Sequence, residues 1–524
     1  MSPTDVNLLL LVAMLVLLGA SVAVRLSVRL GLPSLLAYLG IGLIIGEAGF
    51  GLQFEDAELT QNLGLIALAV ILAEGGLTTR WSVTRPVLGR AVVLATVGVL
   101  LSVAITAAIA YLALGLELRT AILIGAAVGS TDAAAVFSVL RRLPRPIRPR
   151  LRATLEAESG FNDPPVIILV SIVVSDAWTQ INVWTATAQI VYQLVIGILV
   201  GLVLGRVGEW LLSRSALPAA GLYPIATMAL AMLAYATAGV AGASGFLAAY
   251  VAAIWLGNAK LPHRTAALGF AEGTAWLAQI GLFVLLGLLA SPSRLPAAVL
   301  PALVVGTGLL LIARPVSVLL STLPFRVPAR EQAFMSWAGL RGAVPIVVTT
   351  IPLSVGLPGA VQVFDIVFVL VVMFTLIQGP LLPWFARRLG VLDVADAQDL
   401  EVESAPLDQL HANLMHVTVA PDSKLVGLHL DEIRLPSRAA VTLIAREGKT
   451  FVPDRETAIR PGDRLLIVAP SETRAEVEDR LRAVSRAGKL ARWFGEHGAE
   501  RSALERPNGA VPSGVRRRAR GPVD

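Results

Sequence analysis

Long apolar runs recur along this 524-residue chain as far as Leu389, and they restrict its fold more than any other feature. A helix needs about 20 apolar residues to cross about 30 Å of hydrocarbon. Only 15% of the residues are charged, whereas soluble domains carry about 25%. The sequence therefore predicts an all-α polytopic membrane protein with about 13 transmembrane helices, at 6–24, 33–47, 61–77, 91–115, 119–140, 152–175, 187–212, 222–239, 243–258, 269–290, 296–320, 331–352 and 361–386.

The loop charges predict the orientation of these helices, because cytoplasmic loops are enriched in Lys and Arg. Arginines follow the odd-numbered helices, and six of them crowd the stretch 141–152, whereas only Arg119 and Arg294 fall on the other side. An odd helix count places the N-terminus outside and the C-terminus in the cytoplasm. The expected location is a bacterial inner membrane, and the net charge of +6 reflects this topology and not nucleic-acid binding.

The composition changes after Arg388 to that of a soluble segment. An acidic linker is predicted at 391–404, then a small α+β domain at 405–485 with strands at 415–419, 440–446 and 464–468 and a helix at 471–484. A basic tail at 486–524, rich in Pro, Gly and Arg, is predicted to be disordered. The membrane domain is then 1–390.

Three predicted helices carry a charge halfway along their length: Asp132 in 119–140, Asp163 in 152–175 and Arg341 in 331–352. Such a charge costs roughly 3 kcal/mol at the bilayer centre, so it persists where it is paired, hydrated or functional. Because the three lie at the same depth, we expect them to share one polar site. A purely structural network is the alternative.

Two of these helices are predicted to be broken at the charge. Residues 129–132 (GSTD) are poor helix formers, and 339–345 (GLRGAVP) contains two glycines and a proline. Broken helices at the midplane form the ion sites of many secondary transporters. The breaks fall in the fifth and twelfth helices, which is the spacing expected if helices 1–6 and 8–13 are inverted repeats.

Oxygen ligands near these breaks suit an alkali cation. We expect Asp163, Asp132, the Ser159 hydroxyl and the Thr131 carbonyl to bind it, and Glu158 to pair with Arg341. A proton and a cation would then compete for one carboxylate site, which couples their fluxes without covalent chemistry. The chain is expected to be a transporter of K⁺, Na⁺ and H⁺, with no enzyme activity, cofactor or metal centre.

The residues at these places resemble a known family. Three segments are similar to signature segments of the NhaP-type branch of the Na⁺/H⁺ exchanger family: 129–140 (GSTDAAAVFSVL), 158–164 (ESGFNDP) and 337–346 (WAGLRGAVPI). Residues 221–224 and 275–281 resemble its CvrA-like subgroup, which implies K⁺/H⁺ exchange. Residues 405–485 resemble the TrkA-C (RCK C-terminal) domain.

The resemblance implies roles for individual residues. Asp163 would bind cation and proton, Asn162 would be the Asn of the Asn-Asp pair associated with electroneutral exchange, and Asp132 and Ser159 would complete the site. Glu158 and Arg341 would be the stabilising pair. The resemblance also implies a homodimer in the lipid bilayer with an elevator-type mechanism of alternating access.

Other interpretations of the sequence stay open. The main alternative is a cation channel gated by the RCK-C domain, although no TVGYG-like filter occurs in the sequence; a membrane-embedded sensor without transport is a third. The cytoplasmic domain would either bind a small-molecule ligand or stabilise a dimer. Polar side chains nearer to helix ends are expected to snorkel or to lie at the interface: Glu74, Glu272, Arg314 and Asp365.

Overall fold

The computed structural model describes residues 3–491 apart from short gaps at 31, 48, 50, 52–53, 55, 141–142, 144–145, 176–177, 179–181, 393–400, 408–411, 421–422, 437, 448, 471 and 489–490. The chain divides into two compact units, Met1–Asp393 and Val394–Asp524. The predicted acidic linker falls mainly on residues outside the described part, and so does nearly all of the predicted basic tail.

The first unit is built from helices. They are α1 (Pro3–Leu30), α2 (Ser34–Ile45), α3 (Ala57–Thr78), α4 (Trp81–Leu114), α5 (Leu118–Ala127), α6 (Ala133–Leu140), α7 (Pro149–Val174), α8 (Val183–Arg214), α9 (Leu222–Val240), α10 (Gly245–Asn258), α11 (Arg264–Leu289), α12 (Leu295–Phe325), α13 (Ala329–Trp337), α14 (Ala343–Ser354) and α15 (Ala360–Arg388).

These helices confirm the prediction of about thirteen spans. Within the described residues nine helices are long and apolar enough to cross a membrane, and α2, α5, α10 and α14 are shorter apolar helices. The predicted breaks are also confirmed, since α5 and α6 are separated at 128–132 and α13 and α14 at 338–342. The sequence did not predict the π-helical turns Leu94–Gly98 in α4 and Leu309–Ala313 in α12, which occupy equivalent helices of the two repeats.

The helices pack in two groups. A scaffold group contains α1–α3 and α8–α11, and a core group contains α4–α7 and α12–α15; the groups meet where α3 packs on α14 and where α7 packs on α8 and α10. Within each group the helices come half from each repeat. This order is the one expected of inverted repeats connected by α8.

Small residues bring the scaffold helices together. Gly197, Gly201 and Gly205 lie on one face of α8, and a Cβ at Gly201 would approach the Ala248 carbonyl oxygen to 2.6 Å. In lipid, helices gain little from the hydrophobic effect between themselves, so close backbone packing at small residues stabilises their contact.

The second unit is a small α+β domain, as predicted. It contains β1 (Glu401–Leu407), β2 (Ala412–Thr418), α16 (Leu430–Ile433), β3 (Ala440–Arg446), β4 (Lys449–Phe451), β5 (Arg464–Pro470) and α17 (Arg474–Ala487). The strands form an antiparallel sheet in the order β1-β2-β5-β3-β4. Alternate residues of β2 and β5 are buried, and they form the core with one face of α17.

The sequence did not predict β1, which overlaps the end of the predicted linker. Its sequence, EVESAPL, contains two glutamates and Pro406 and lacks the apolar alternation of β2 and β5. A proline is tolerated in an edge strand because the outward amide needs no partner there. The sheet order places β1 at an edge.

A bidentate ion pair holds one end of this sheet. Arg446 donates to the two carboxylate oxygens of Asp463 at 2.8 and 2.7 Å, and the Arg460 amide donates to the same carboxylate at 2.8 Å. Burial disfavours the charged form of Asp463, but the hydrogen bonds from Arg446 and Arg460 outweigh it, so the pKa of Asp463 lies below its usual value. The pair joins the end of β3 to the turn before β5.

We expect Asp463→Asn to lower the free energy of unfolding of the second unit by ~3 kcal/mol at pH 7, because it leaves the Arg446 guanidinium without its carboxylate. A carboxylate with a lowered pKa stabilises the fold above its unfolded pKa of about 3.9, and this stabilisation is lost as the pH falls through the lower folded value. The difference between variant and parent should therefore shrink below about pH 4.

Hydrogen exchange of the amides of β2, β3 and β5, in the detergent-solubilised full chain, measures this change in the free energy of unfolding. Glu478→Gln is the matched control, since it removes an i,i+4 pair with Arg482 on the surface of α17 that is worth less than about 0.5 kcal/mol. Equal protection in both variants would contradict the expectation.

Candidate ion-binding site

The two helix breaks cross each other in the core group. The Asp132 amide donates to the Leu340 carbonyl at 2.8 Å. Arg341 donates through one nitrogen to the Gly129 carbonyl at 3.0 Å and to the Ser130 carbonyl. Backbone groups that lose their helical partners at the breaks thus find partners in the opposite break, as non-helical backbone at membrane depth requires.

Asp132 and Arg341 also compensate the helix ends that meet at this crossing. The Arg341 guanidinium faces the carbonyl groups beyond the end of α5, where the helix dipole is negative. Asp132 caps the start of α6 by accepting from the Ala135 amide at 3.0 Å. Its carboxylate also lies against Gly342, the residue before α14, where any Cβ would overlap it. Gly342 is therefore required for the carboxylate to approach the start of α14.

Helix α7 contributes three polar side chains to the crossing. The Ser130 hydroxyl donates to Asp163 Oδ1 at 2.5 Å. Asn162 Nδ2 donates to the Thr131 hydroxyl at 2.7 Å, and the Ser159 hydroxyl donates to the Thr131 carbonyl at 2.8 Å. The structure thus brings together all five residues that the sequence predicted to bind the ion: Asp132, Asp163, Ser159, Thr131 and Asn162.

Two prolines interrupt the hydrogen bonding of α7 next to this cluster. Pro164 and Pro165 lie inside the helix and have no amide hydrogen. The carbonyls of Gly160 and Phe161 therefore receive no hydrogen bond from the residue four positions along. The helix is locally weakened on both sides of Asp163.

The cluster is buried but rich in oxygen atoms. Asn162 is fully buried, Asp163 is 5% exposed and Thr131 is 7% exposed, whereas Asp132 is partly exposed. Carboxylate, hydroxyl and carbonyl oxygens are hard ligands that can replace the hydration shell of an alkali cation. The same carboxylates can take a proton in place of the cation, so the geometry suits two competing occupants.

The predicted pairing of Glu158 with Arg341 is wrong. Glu158 accepts a bidentate pair of hydrogen bonds from Arg314, at 2.5 and 3.0 Å, and both side chains are at most 5% exposed. The expectation that Arg314 snorkels is wrong too. Arg314 lies eleven residues before Phe325 in α12, about 16 Å along the axis.

A π-helical turn in α12 explains why Arg314 and not Arg341 pairs with Glu158. Arg314 directly follows the π-helical turn Leu309–Ala313, which inserts a residue into the helix and turns the following side chains to a new face. Arg314 thereby faces α7 and pairs with Glu158. Arg341 instead donates to the carbonyl groups of the first break.

Ser130 is a polar contact of Asp163 that the sequence reasoning missed. Its place within 129–132, between two residues already assigned to the break, was the available signal. Other polar residues lie apart from the cluster: Asp365 pairs with Arg294 at 3.1 Å, Glu74 is partly exposed and Glu272 is exposed.

A model of the sodium/hydrogen exchanger transmembrane family matches residues 11–388, and a model of the TrkA-C domain matches residues 414–482. The chain belongs to the sodium/hydrogen exchanger family. It is 34% identical over 500 residues to the K(+)/H(+) antiporter NhaP of Alkalimonas amylolytica, covering 94% of this chain and 86% of that protein. It is 33% identical over 509 residues to the K(+)/H(+) antiporter NhaP2 of Shewanella oneidensis, covering 95% and 87%.

The fold agrees with this family assignment. The solved structure of the sodium proton antiporter MjNhaP1 from Methanocaldococcus jannaschii at pH 8 superposes with a TM-score of 0.61 at 23% identity, covering 72% of this chain and 99% of that chain. The exchanger fold of the first unit and the TrkA-C domain of the second are thus both shown.

Glu158 should be coupled energetically to Arg314 and not to Arg341. Removing one partner of a buried pair leaves an uncompensated charge and costs ~3–5 kcal/mol. Thermal unfolding of Glu158→Gln, Arg314→Gln and their double variant should give a double variant hardly less stable than either single one. The matched cycle with Arg341→Gln should lie closer to additivity. A larger coupling of Glu158 with Arg341 would contradict the structure.

Proposed function

We propose that this chain exchanges a monovalent cation, K⁺ or Na⁺, for protons across the inner membrane at one shared carboxylate site. The observation that carries the proposal is the convergence of Asp163, Asp132, Ser159, Thr131 and Asn162 at the crossing of the two broken helices. Such crossings at the midplane are where secondary transporters bind coupling ions.

Within the site, Asp163 is the proposed exchange carboxylate. Its carboxylate accepts a hydrogen bond from Ser130 and is buried in the cluster. Because an uncompensated buried charge is costly, the carboxylate has to bind either a cation or a proton. Thr131 and Ser159 supply neutral oxygens, and Asn162 positions Thr131. Asp132 contributes charge to the site while it compensates the starts of α6 and α14. Glu158 has a structural role because it pairs with Arg314. Arg341 has a structural role because it donates to the carbonyls of Gly129 and Ser130, beyond the end of α5.

Competition of a cation and a proton for one carboxylate leads to exchange across the membrane if the occupied site opens to each side of the membrane in turn. The division into a scaffold group and a core group supports an elevator-type motion in which the core group moves as a body. We also propose a homodimer, an N-terminus outside and a cytoplasmic C-terminus, on the basis of the loop charges and the family. The TrkA-C domain is a candidate for ligand binding or dimer stabilisation.

The relatives support K⁺ as the cation. The two relatives described above carry K(+)/H(+) antiporter in their names, and each spans nearly the whole of this chain. Na⁺ stays within the proposal because the site oxygens suit either alkali cation. The alternative of a gated channel predicts cation flux without obligatory proton movement.

Proteoliposomes with an internal pH dye test the exchange. We expect added K⁺ or Na⁺ to alkalinise the lumen as protons leave in exchange, and parallel runs with K⁺, Na⁺ and Li⁺ give the selectivity. Asp163→Asn should abolish the response because it removes the titrating carboxylate. Glu272→Gln, an exposed carboxylate in the same unit, is the matched control and should keep it. No response to either cation in the parent would refute the proposal.

Exchange of one cation for one proton should be electroneutral. At one fixed K⁺ gradient, the rate of Na⁺ exchange in the same proteoliposomes is then expected to be equal with and without valinomycin, which converts that gradient into a membrane potential. Any K⁺ exchange by the protein itself is the same in both arms. A channel would instead carry current that follows the potential. Acceleration of proton flux by the imposed potential would contradict the one-for-one stoichiometry.

A further inference from the structure

Tyr250 of α10 packs directly onto the backbone of α7 beside the ion site. The residue is 2% exposed, and its ring meets the Phe161 ring edge to face with centroids 5.3 Å apart. A Cβ at Gly160 would lie 2.4 Å from Tyr250 Cζ and 2.5 Å from its hydroxyl oxygen. Only glycine at position 160 therefore allows the ring to lie where it does.

The position of this contact on α7 is what gives it a functional meaning. Residues 156, 160 and 163 lie on one side of a helix with 3.6 residues per turn. The Glu156 side chain is 39% exposed, whereas Asp163 is 5% exposed. Glu156 and Asp163 are about 10 Å apart along the helix, and the Tyr250 ring contacts α7 between them, at Gly160 and Phe161. The arginines near Pro149 predict that the Glu156 end is cytoplasmic.

We propose that Tyr250 is the gate on the cytoplasmic approach to Asp163. This inference rests on the proposed function, because a gate needs an ion that passes it. Tyr250 belongs to the scaffold group and Gly160 to the core group. The contact therefore joins the two bodies that must move relative to each other, and its ring must leave Gly160 when the site opens to the cytoplasm.

Thiol accessibility tests the gate without relying on transport. The chain has no cysteine, so Asp163→Cys places a single reporter thiol at the buried position to which the ring is proposed to close the approach. A small cationic methanethiosulfonate reagent is applied to inverted membrane vesicles, and the labelling rate is measured. Tyr250→Ala should raise this rate by roughly tenfold or more, because the contact that keeps the approach closed is gone. Tyr250→Phe keeps the ring and should leave the rate low.

Glu156→Cys in the same backgrounds is the reference, since an exposed thiol on the outer part of α7 should label at one rate throughout. If Tyr250→Ala does not give monodisperse protein, Gly160→Ala displaces the ring from the same contact and should raise the labelling of Asp163→Cys likewise. Equal labelling of Asp163→Cys with and without the ring would overturn the gate. Labelling that depends on Tyr250, combined with no cation exchange by the parent protein in proteoliposomes, would instead refute the proposed function and leave the closure intact.

Discussion

Where α5 and α13 end inside the core group, their last carbonyl groups lose their helical donors, and the first amides of α6 and α14 lose their acceptors. Arg341 reaches the carbonyls beyond α5, and Asp132 caps α6 and lies against the residue before α14. Opposite charges thus face opposite helix ends, so each stabilises a dipole and the two breaks stay crossed. This crossing orients Ser130, Thr131 and Leu340. It thereby sets the contact of Ser130 with Asp163 and that of Thr131 with Ser159.

The ion pair of Arg314 with Glu158 has a different part in the fold. It joins α12 to α7, and thereby connects the second repeat to the helix that carries Asp163. Glu158 lies on the same helix as Asp163, but neither member of the pair makes a hydrogen bond to the Asp163 side chain among the described residues. In the proposed elevator motion, a link of this kind would keep the core group together as one body, while the prolines after Asp163 leave α7 locally weakened. The contact of Gly160 with Tyr250 of the scaffold group is the one that this proposed motion would break.

Local signals in the sequence predicted much of this arrangement. The helices, their breaks and the depth of Asp132, Asp163 and Arg341 all follow from the cost of charge and of unpaired backbone in lipid. The partner of Glu158 did not follow, because it depends on which way Arg314 points after a π-helical turn that no residue pattern revealed. Strand β1 was missed because an edge strand needs little apolar alternation, and its sequence lacks the alternation of β2 and β5. Ser130 was missed because hydroxyls in a broken helix are usually satisfied by nearby backbone.

The central claim is that a cation and a proton compete for the Asp163 carboxylate. Calorimetric titration of the purified protein with K⁺ or Na⁺, repeated in buffers of different ionisation enthalpy, measures the protons released per cation bound. We predict release of a proton on cation binding at a pH where the site is partly protonated, and loss of this release in Asp163→Asn. Cation binding to the parent protein with no proton released at any pH would contradict the account.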